Sequence, residues 1–267
     1  MKELEREKQA VVKGEKYRFT VLTKALIRME YSDKGIFVDQ PTQTVVNRDF
    51  PVPEFSVKET EDMLEITSCL RVRYDKKKFS PTGLSIRVTG QPGAGSAVWN
   101  YGDKPVDLGG TARTLDEADG SIPLESGILS AHGWSLLDDS SSLLLNEKGW
   151  IQKREDKEGT DLYFFGYGRD YLNNLKDYHV LTGKVPLLPR FAFGNWWSRY
   201  YKYTEKSYLE LMDRFKKEDI PFSVAVIDMD WHLVDIDPKY GTGWTGYTWN
   251  REFFPDPEGF MENLHGR

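Results

Sequence analysis

The chain has 267 residues, enough for one large or two ordinary domains. Its net charge of −6, with no basic stripe, argues against nucleic acid as the main partner, and 39% hydrophobic against 29% charged residues suits a soluble globular protein. No run approaches the ~18 consecutive apolar residues of a membrane span, and residues 1–8 are charged almost throughout without the apolar stretch of a secretory signal, so a cytoplasmic location is the expectation.

The first ~185 residues read as β-rich. Short β-prone runs fall at 17–22 and 25–31, and in the second Ile27, Met29 and Tyr31 alternate with Arg28 and Glu30, the pattern of a half-buried strand. Residues 64–66 and 70–74 repeat the pattern, a polar turn follows over 75–81, and 84–88 reads as another strand. Cys69, the sole cysteine, excludes an intrachain disulfide and a multi-cysteine metal site, and its neighbours suggest an ordinary strand residue. Many short strands with turns between them predict an antiparallel sandwich. Residues 102–133 read as a long, irregular but ordered loop, because it holds Leu, Ile and Pro. Strands resume at 134–137 and 142–145.

Around residue 185 the pattern changes, and Val185-Pro186-Leu187-Leu188-Pro189 reads as a stiff connector at a domain boundary. Two domains follow from it, 1–185 and 186–267. Residues 191–197 predict a buried strand. Thr204 predicts an N-cap, and Tyr208, Leu211, Met212 and Phe215 fall on one helix face. Ile220-Pro221 ends that helix, and residues 222–227 predict the next strand, completing a parallel βαβ unit. Asp256-Pro257 then opens a further helix, with Phe260, Met261 and Leu264 on its apolar face. An eight-stranded barrel needs ~250 residues. Roughly eighty remain here, enough only for the opening of one.

The chemistry concentrates where the apolar run 224–227 ends in Asp228-Met229-Asp230-Trp231. Carboxylates at the C-terminal end of a parallel strand sit where α/β folds place their sites. Two residues apart on a strand, Asp228 and Asp230 would share a face. They could bind a divalent cation, as in Asp-x-Asp glycosyltransferases, or accept hydrogen bonds from sugar hydroxyls. The plainer alternative is that one caps a loop and only the other faces a pocket. At the end of the preceding strand Arg199 could pair with a carboxylate, and Trp197 or Tyr200 could form a stacking wall; a core Trp pair with a solvent-facing arginine is the competing reading. Eight Trp, fourteen Tyr and fourteen Phe serve either large β cores or the stacking of pyranose faces. His132, His179, His232 and His265 have no metal-ligand spacing, and no Gly-x-Ser-x-Gly, P-loop or Gly-x-Gly-x-x-Gly is present.

Pro189-Arg190-Phe191-Ala192-Phe193-Gly194-Asn195-Trp196-Trp197-Ser198-Arg199-Tyr200 resembles the first barrel strand of glycoside hydrolase family 31, the α-glucosidases and α-xylosidases. Ile227-Asp228-Met229-Asp230-Trp231 resembles its second-strand motif, and residues 249–257 the loop and helix start that follow. Upstream, residues 109–116 and 133–140 resemble the N-terminal domain of a bacterial and fungal branch. The resemblance implies a galactose-mutarotase-like β-sandwich over 1–185, then the first β/α units of a (β/α)₈ barrel, incomplete, over 186–267. It implies retaining hydrolysis of α-glycosides by two aspartates, both expected beyond Arg267, so that this chain alone is inactive. It also implies that Asp228 holds hydroxyls of the −1 sugar, with Met229 and Asp230 in support. Tyr200 would be a subsite aromatic, and Trp197 remains a substrate-binding candidate through the stacking wall it could form. Asp116, or next Asp138, would be the aspartate of an N-terminal-domain loop. No cofactor or metal is expected. The expected partners are an α-glycoside and, for the open barrel edges, a C-terminal segment or a second copy. The alternative from another class is a non-catalytic carbohydrate-binding or interaction module.

Overall fold

The structure, a computed structural model, describes residues 10–95, 97–112 and 114–267. The charged residues 1–8, and Arg113 of the loop motif, lie outside the described residues. The chain divides into two compact units, Met1–Val185 and Pro186–Arg267.

The first unit carries strands β1 (Val11–Lys13), β2 (Tyr17–Thr23), β3 (Leu26–Tyr31), β4 (Ser56–Glu59), β5 (Leu64–Thr67), β6 (Leu70–Tyr74), β7 (Leu84–Val88) and β8 (Val98–Asn100). After the long loop come β9 (Ser135–Asp138), β10 (Leu144–Leu145), β11 (Ile151–Gln152) and β12 (Thr160–Phe165), then helix α1 (Tyr171–Thr182). One antiparallel sheet has the order β1-β2-β3-β12-β9, and a second is the meander β4-β5-β6-β7-β8. In β6 the alternation is complete: Leu70, Val72 and Tyr74 are buried, while Arg71 and Arg73 face outward, both donating to Glu65 at 3.0 and 3.1 Å. The inward set joins Phe19, Ile27, Met29, Ile86, Trp99 and Phe164 in one core shared by the two sheets. Trp99 is fully buried with its ring 5.5 Å from Phe164. Removing such a side chain from water contributes about 1.5–3 kcal/mol.

β3 differs from the half-buried strand expected of it, because all six of its residues are buried. Ile27, Met29 and Tyr31 enter the shared core, and the charges on the opposite face are buried by pairing. Arg28 donates from Nε and Nη2 to the two oxygens of Asp161, each at 2.8 Å, and lies 3.1 Å from Glu30. Arg18 donates to Glu30 at 2.9 Å, and Arg154 reaches Asp161 at 3.2 Å and the Asp139 carbonyl at 2.7 Å. Burial works against the Arg28 charge, but Asp161 and Glu30 outweigh it and hold its pKa above the ordinary arginine value. Asp161 is likewise opposed by burial and held below the usual carboxylate range by Arg28 and then Arg154. Asp139 is pushed up by burial.

Helix α1 has no counterpart in the sequence reading. Its apolar periodicity is weak: of its residues only Asn174 and Leu181 are buried, and Leu172 is exposed. Asp170 caps it, accepting from the Asn173 amide at 3.3 Å, and its last turn is held where Leu181 O accepts from Val46 and Asn47. Cys69 sits in the short turn between β5 and β6 rather than within a strand.

Within residues 102–133, the described residues form two arms held together by backbone bonds, Leu108 to Leu129 at 2.9 Å and Gly110 to Glu125 at 2.7 Å. A Cβ on Gly127 would lie 2.3 Å from Gly109 O, so the arms close this tightly only with glycine there.

In the second unit lie β13 (Trp196–Trp197), α2 (Glu205–Lys217), β14 (Val224–Ala225) and α3 (Pro257–His265). β13 and β14 pair in parallel, Trp196 with Val224 and Trp197 with Ala225, with α2 as the crossover. Both strands are shorter than the runs 191–197 and 222–227 that the sequence offers. Arg190–Phe193 is a 3₁₀ turn, with Phe191 and Phe193 exposed. Two strands make no closed barrel, and among the described residues each has one paired edge only, so pairing does not propagate along the apolar runs.

The helix ends follow the sequence closely. Thr204 Oγ1 accepts from the Ser207 amide at 3.2 Å, and Ser207 Oγ from the Thr204 amide at 2.9 Å. Tyr208 and Met212 are buried, and Leu211 and Phe215 pack beside them with Phe254 and Phe260. The helix stops at Lys217, before Pro221, with Asp219 in the left-handed region at φ 56°. Asp256 caps α3, with Pro257 at its first position.

Candidate functional site

The site is assembled where β13 and β14 end. Beyond Trp197 and Ala225 the two chains stay side by side: Val226 N–H donates to Trp197 O at 2.9 Å, and Lys202 and Met229 form a parallel bridge. The Tyr208 hydroxyl of α2 donates to Val226 O at 2.8 Å, fixing the segment from below. Burial raises the Tyr208 pKa, with Tyr203 adding to it, so this hydroxyl remains a donor.

Strand alternation fails at Asp230, whose φ is 58°. Asp228 and Asp230 therefore do not share a face, contrary to the spacing argument. Asp228 is exposed, whereas Asp230 is 8% exposed and lies 3.7 Å from Lys202 Nζ. Among the described residues, no group of three or more His, Cys, Asp or Glu could hold a metal ion.

Downstream, Trp231 to Leu233 run against Thr248 to Asn250, through Leu233 N–H to Thr248 O at 2.9 Å and Asn250 N–H to Trp231 O at 2.8 Å. The intervening excursion carries the exposed rings of Trp244 and Tyr247. Trp231 meets Trp249 at 5.0 Å and Tyr247 at 6.2 Å, both edge-on, so the exposed Tyr247 ring rests on a half-buried one.

The sequence-predicted residues separate into three settings. Asp228, Met229 and Asp230 adjoin at the strand end, with Tyr200 exposed on the neighbouring chain. Trp197 belongs to the core: its ring packs 4.8 Å from Phe215 and 5.9 Å from Phe222, so it is a packing residue and not an open stacking wall. Asp116 belongs to the first unit. It is exposed in a turn of the long loop, with its amide bonded to Thr114 Oγ1 at 3.0 Å. Asp138, its alternative, ends β9 and caps the next turn through the Ser140 amide at 2.9 Å. Among the described residues Arg199 pairs with no carboxylate; its guanidinium lies 4.5 Å over the Tyr201 ring. The cation that does reach the acidic motif is Lys202, which the sequence reading passed over. Its position opposite Met229 depends on strand register, which no spacing rule supplies.

A cavity of about 330 Å³ in this unit lies elsewhere, among Met212, Phe215, Phe222, Val224 and Leu264, and does not reach Asp228. The strand-end site is an open, aromatic-flanked surface with one outward carboxylate. It can accept hydrogen bonds from hydroxyls and stack apolar faces.

Residues 185–267 match the family described as the glycosyl hydrolases family 31 TIM-barrel domain. An alpha-xylosidase of Saccharolobus solfataricus is 28% identical over 190 residues, covering 68% of this chain and 24% of the relative. An alpha-xylosidase of Lactiplantibacillus pentosus is 30% identical over 193 residues, covering 69% and 23%. The chain thus spans about a quarter of the length of these curated relatives. In fold it is similar to a dextranase of Flavobacterium johnsoniae solved with glucose, with a TM-score of 0.57 at 16% identity, over 94% of this chain and 34% of that one.

Proposed function

We propose, for a chain that belongs to glycoside hydrolase family 31, that it forms the N-terminal part of a retaining α-glycosidase acting on α-xylosides or α-glucosides. In this reading the first unit is the family's β-sandwich, and the second is the opening β/α section of its (β/α)₈ barrel. Asp228 is the hydroxyl-binding carboxylate of the sugar nearest the cleaved bond, and Tyr200 an aromatic of the same subsite. The observation that carries the reading is the exposed Asp228 at the C-terminal end of a parallel strand, set apart from the ion-paired Asp230.

Retaining hydrolysis needs two carboxyl groups about 5–5.5 Å apart, one as nucleophile and one as acid/base. At this strand end Asp230 is occupied by Lys202, which leaves one free carboxylate. The chain by itself therefore binds sugar without cleaving it. A carboxylate accepts bidentate or charge-assisted bonds from vicinal hydroxyls, each stronger than a neutral bond. Isosteric Asp228→Asn should thus weaken binding of methyl α-D-xylopyranoside about tenfold or more, read by NMR titration. Equal binding by the variant sinks the assignment. Turnover of an aryl α-xyloside by the purified chain sinks the division of labour.

A further inference from the structure

We propose that Lys202 is a positioning residue of this site. It holds the Asp230 carboxylate inward, in the left-handed turn that ends the strand, and so leaves Asp228 as the outward acceptor. The inference rests on the sugar-binding reading of Asp228.

Asp230 combines two features that are each unfavourable alone. Its backbone is in the left-handed region, at φ 58°, which a residue with a Cβ seldom adopts, although Asp does so more often than most. Its side chain is 12% exposed, and a carboxylate this far from water requires a counter-charge. Lys202 supplies one at 3.7 Å. The lysine is placed by two further contacts: the bridge that sets its backbone beside Met229, and its ammonium 4.4 Å over the Phe253 ring. Each acts from a different segment, so the ammonium sits between the strand end and the turn that leads into α3.

The alternative strand geometry is a simple extension through residue 230, which would return Asp230 to the Asp228 side. Two carboxylates on one face would repel and compete for the same hydroxyls. Lys202 biases the segment against that state. Because the lysine side chain is itself 56% exposed, the pair adds little to global stability. Its effect is local: it decides where one carboxylate lies.

The test uses the full 267-residue chain, isotope-labelled, with methyl α-D-xylopyranoside as the probe. The three-bond amide–Hα coupling of Asp230 reports its φ directly, being smaller in the left-handed turn than in extended chain. Lys202→Met should move that coupling toward the extended value and weaken xyloside binding about threefold to tenfold, with the melting temperature unchanged. Lys202→Arg should restore both. Asp228→Asn should abolish most binding while leaving the Asp230 coupling as in the parent. A Lys202→Met chain that binds like the parent, or whose Asp230 coupling does not move, overturns the proposal. If the parent binds no xyloside, the sugar reading fails, and the Asp230 coupling alone decides whether Lys202 holds the turn.

Discussion

The two units bury charge and aromatic surface in opposite ways. In the first, Arg28 and Asp161 meet inside a sheet and each is neutralised by fixed partners, with Arg18, Glu30 and Arg154 completing the set. Its central strands are paired along both edges. In the second unit the parallel sheet has two strands of two residues each, and Phe193, Trp196, Tyr200, Trp244 and Tyr247 keep much of their surface exposed. Strand pairing is what makes the difference. A paired strand forces its neighbours' side chains into fixed apposition, the geometry in which the Arg28–Asp161 pair is buried. Where pairing stops, side chains remain available to a ligand.

Breaking the buried pair should produce the largest effect. Asp161→Ala leaves Arg28 charged and unpartnered, and should cost about 3–5 kcal/mol in chemical denaturation of the first unit's transition. A loss no larger than that of a surface substitution would erase the contrast between the units. Truncation in the second core, Phe254→Ala, should cost about 3 kcal/mol, the low end for a buried phenylalanine. Its neighbours in an open layer can collapse into the space. A cost above that of Asp161→Ala would show the second unit to be the more tightly constrained.

Acid should separate the units next. Asp161 has a folded pKa below its unfolded value, so its contribution is fully present above about pH 4 and is lost as pH falls through the folded value. Asp139 is raised, so its contribution runs the other way, fading as pH rises through its folded value. Melting of the parent between pH 7 and pH 3 should therefore lose stability at the acid end. Asp161→Asn should flatten that loss; an unchanged acid limb would contradict the pairing. The smallest effect belongs to the cap of α2: Thr204→Ala should cost about 1 kcal/mol, seen as a lowered midpoint of the second unit alone.

Much of this was legible in the residues. Alternation located β3, β5 and β6, β-prone runs located β2 and β7, and cap chemistry located Thr204 and Asp256-Pro257, because these signals are local. The burial of Arg28 was not legible, since its partner lies 133 residues away in β12. Helix α1 escaped because its stability comes from contacts to segment 46–47 more than from an apolar stripe. At the candidate site, the strand-end position marked the acidic pair, and the resemblance chose Asp228 from it. The separation of Asp230 from it turns on one backbone dihedral, and Lys202 on register; neither is written in spacing.

The pairing of β3 with β12, Leu26 against Phe165 through Tyr31 against Thr160, also sets a timetable. The meander β4–β8 and the β2–β3 hairpin close only short loops and can form early, while the second edge of β3 must wait for a partner more than a hundred residues downstream. During synthesis the far edge of β3, with Arg28 still solvated, stays unpaired until β12 has emerged. Pulse-labelled amide exchange should find β5–β7 protected before β12 and the β3 amides that face it, which should gain protection together. The long-range salt bridge would then act as the latch of the last folding step, closing only after the chain between its two ends has already found its own shape.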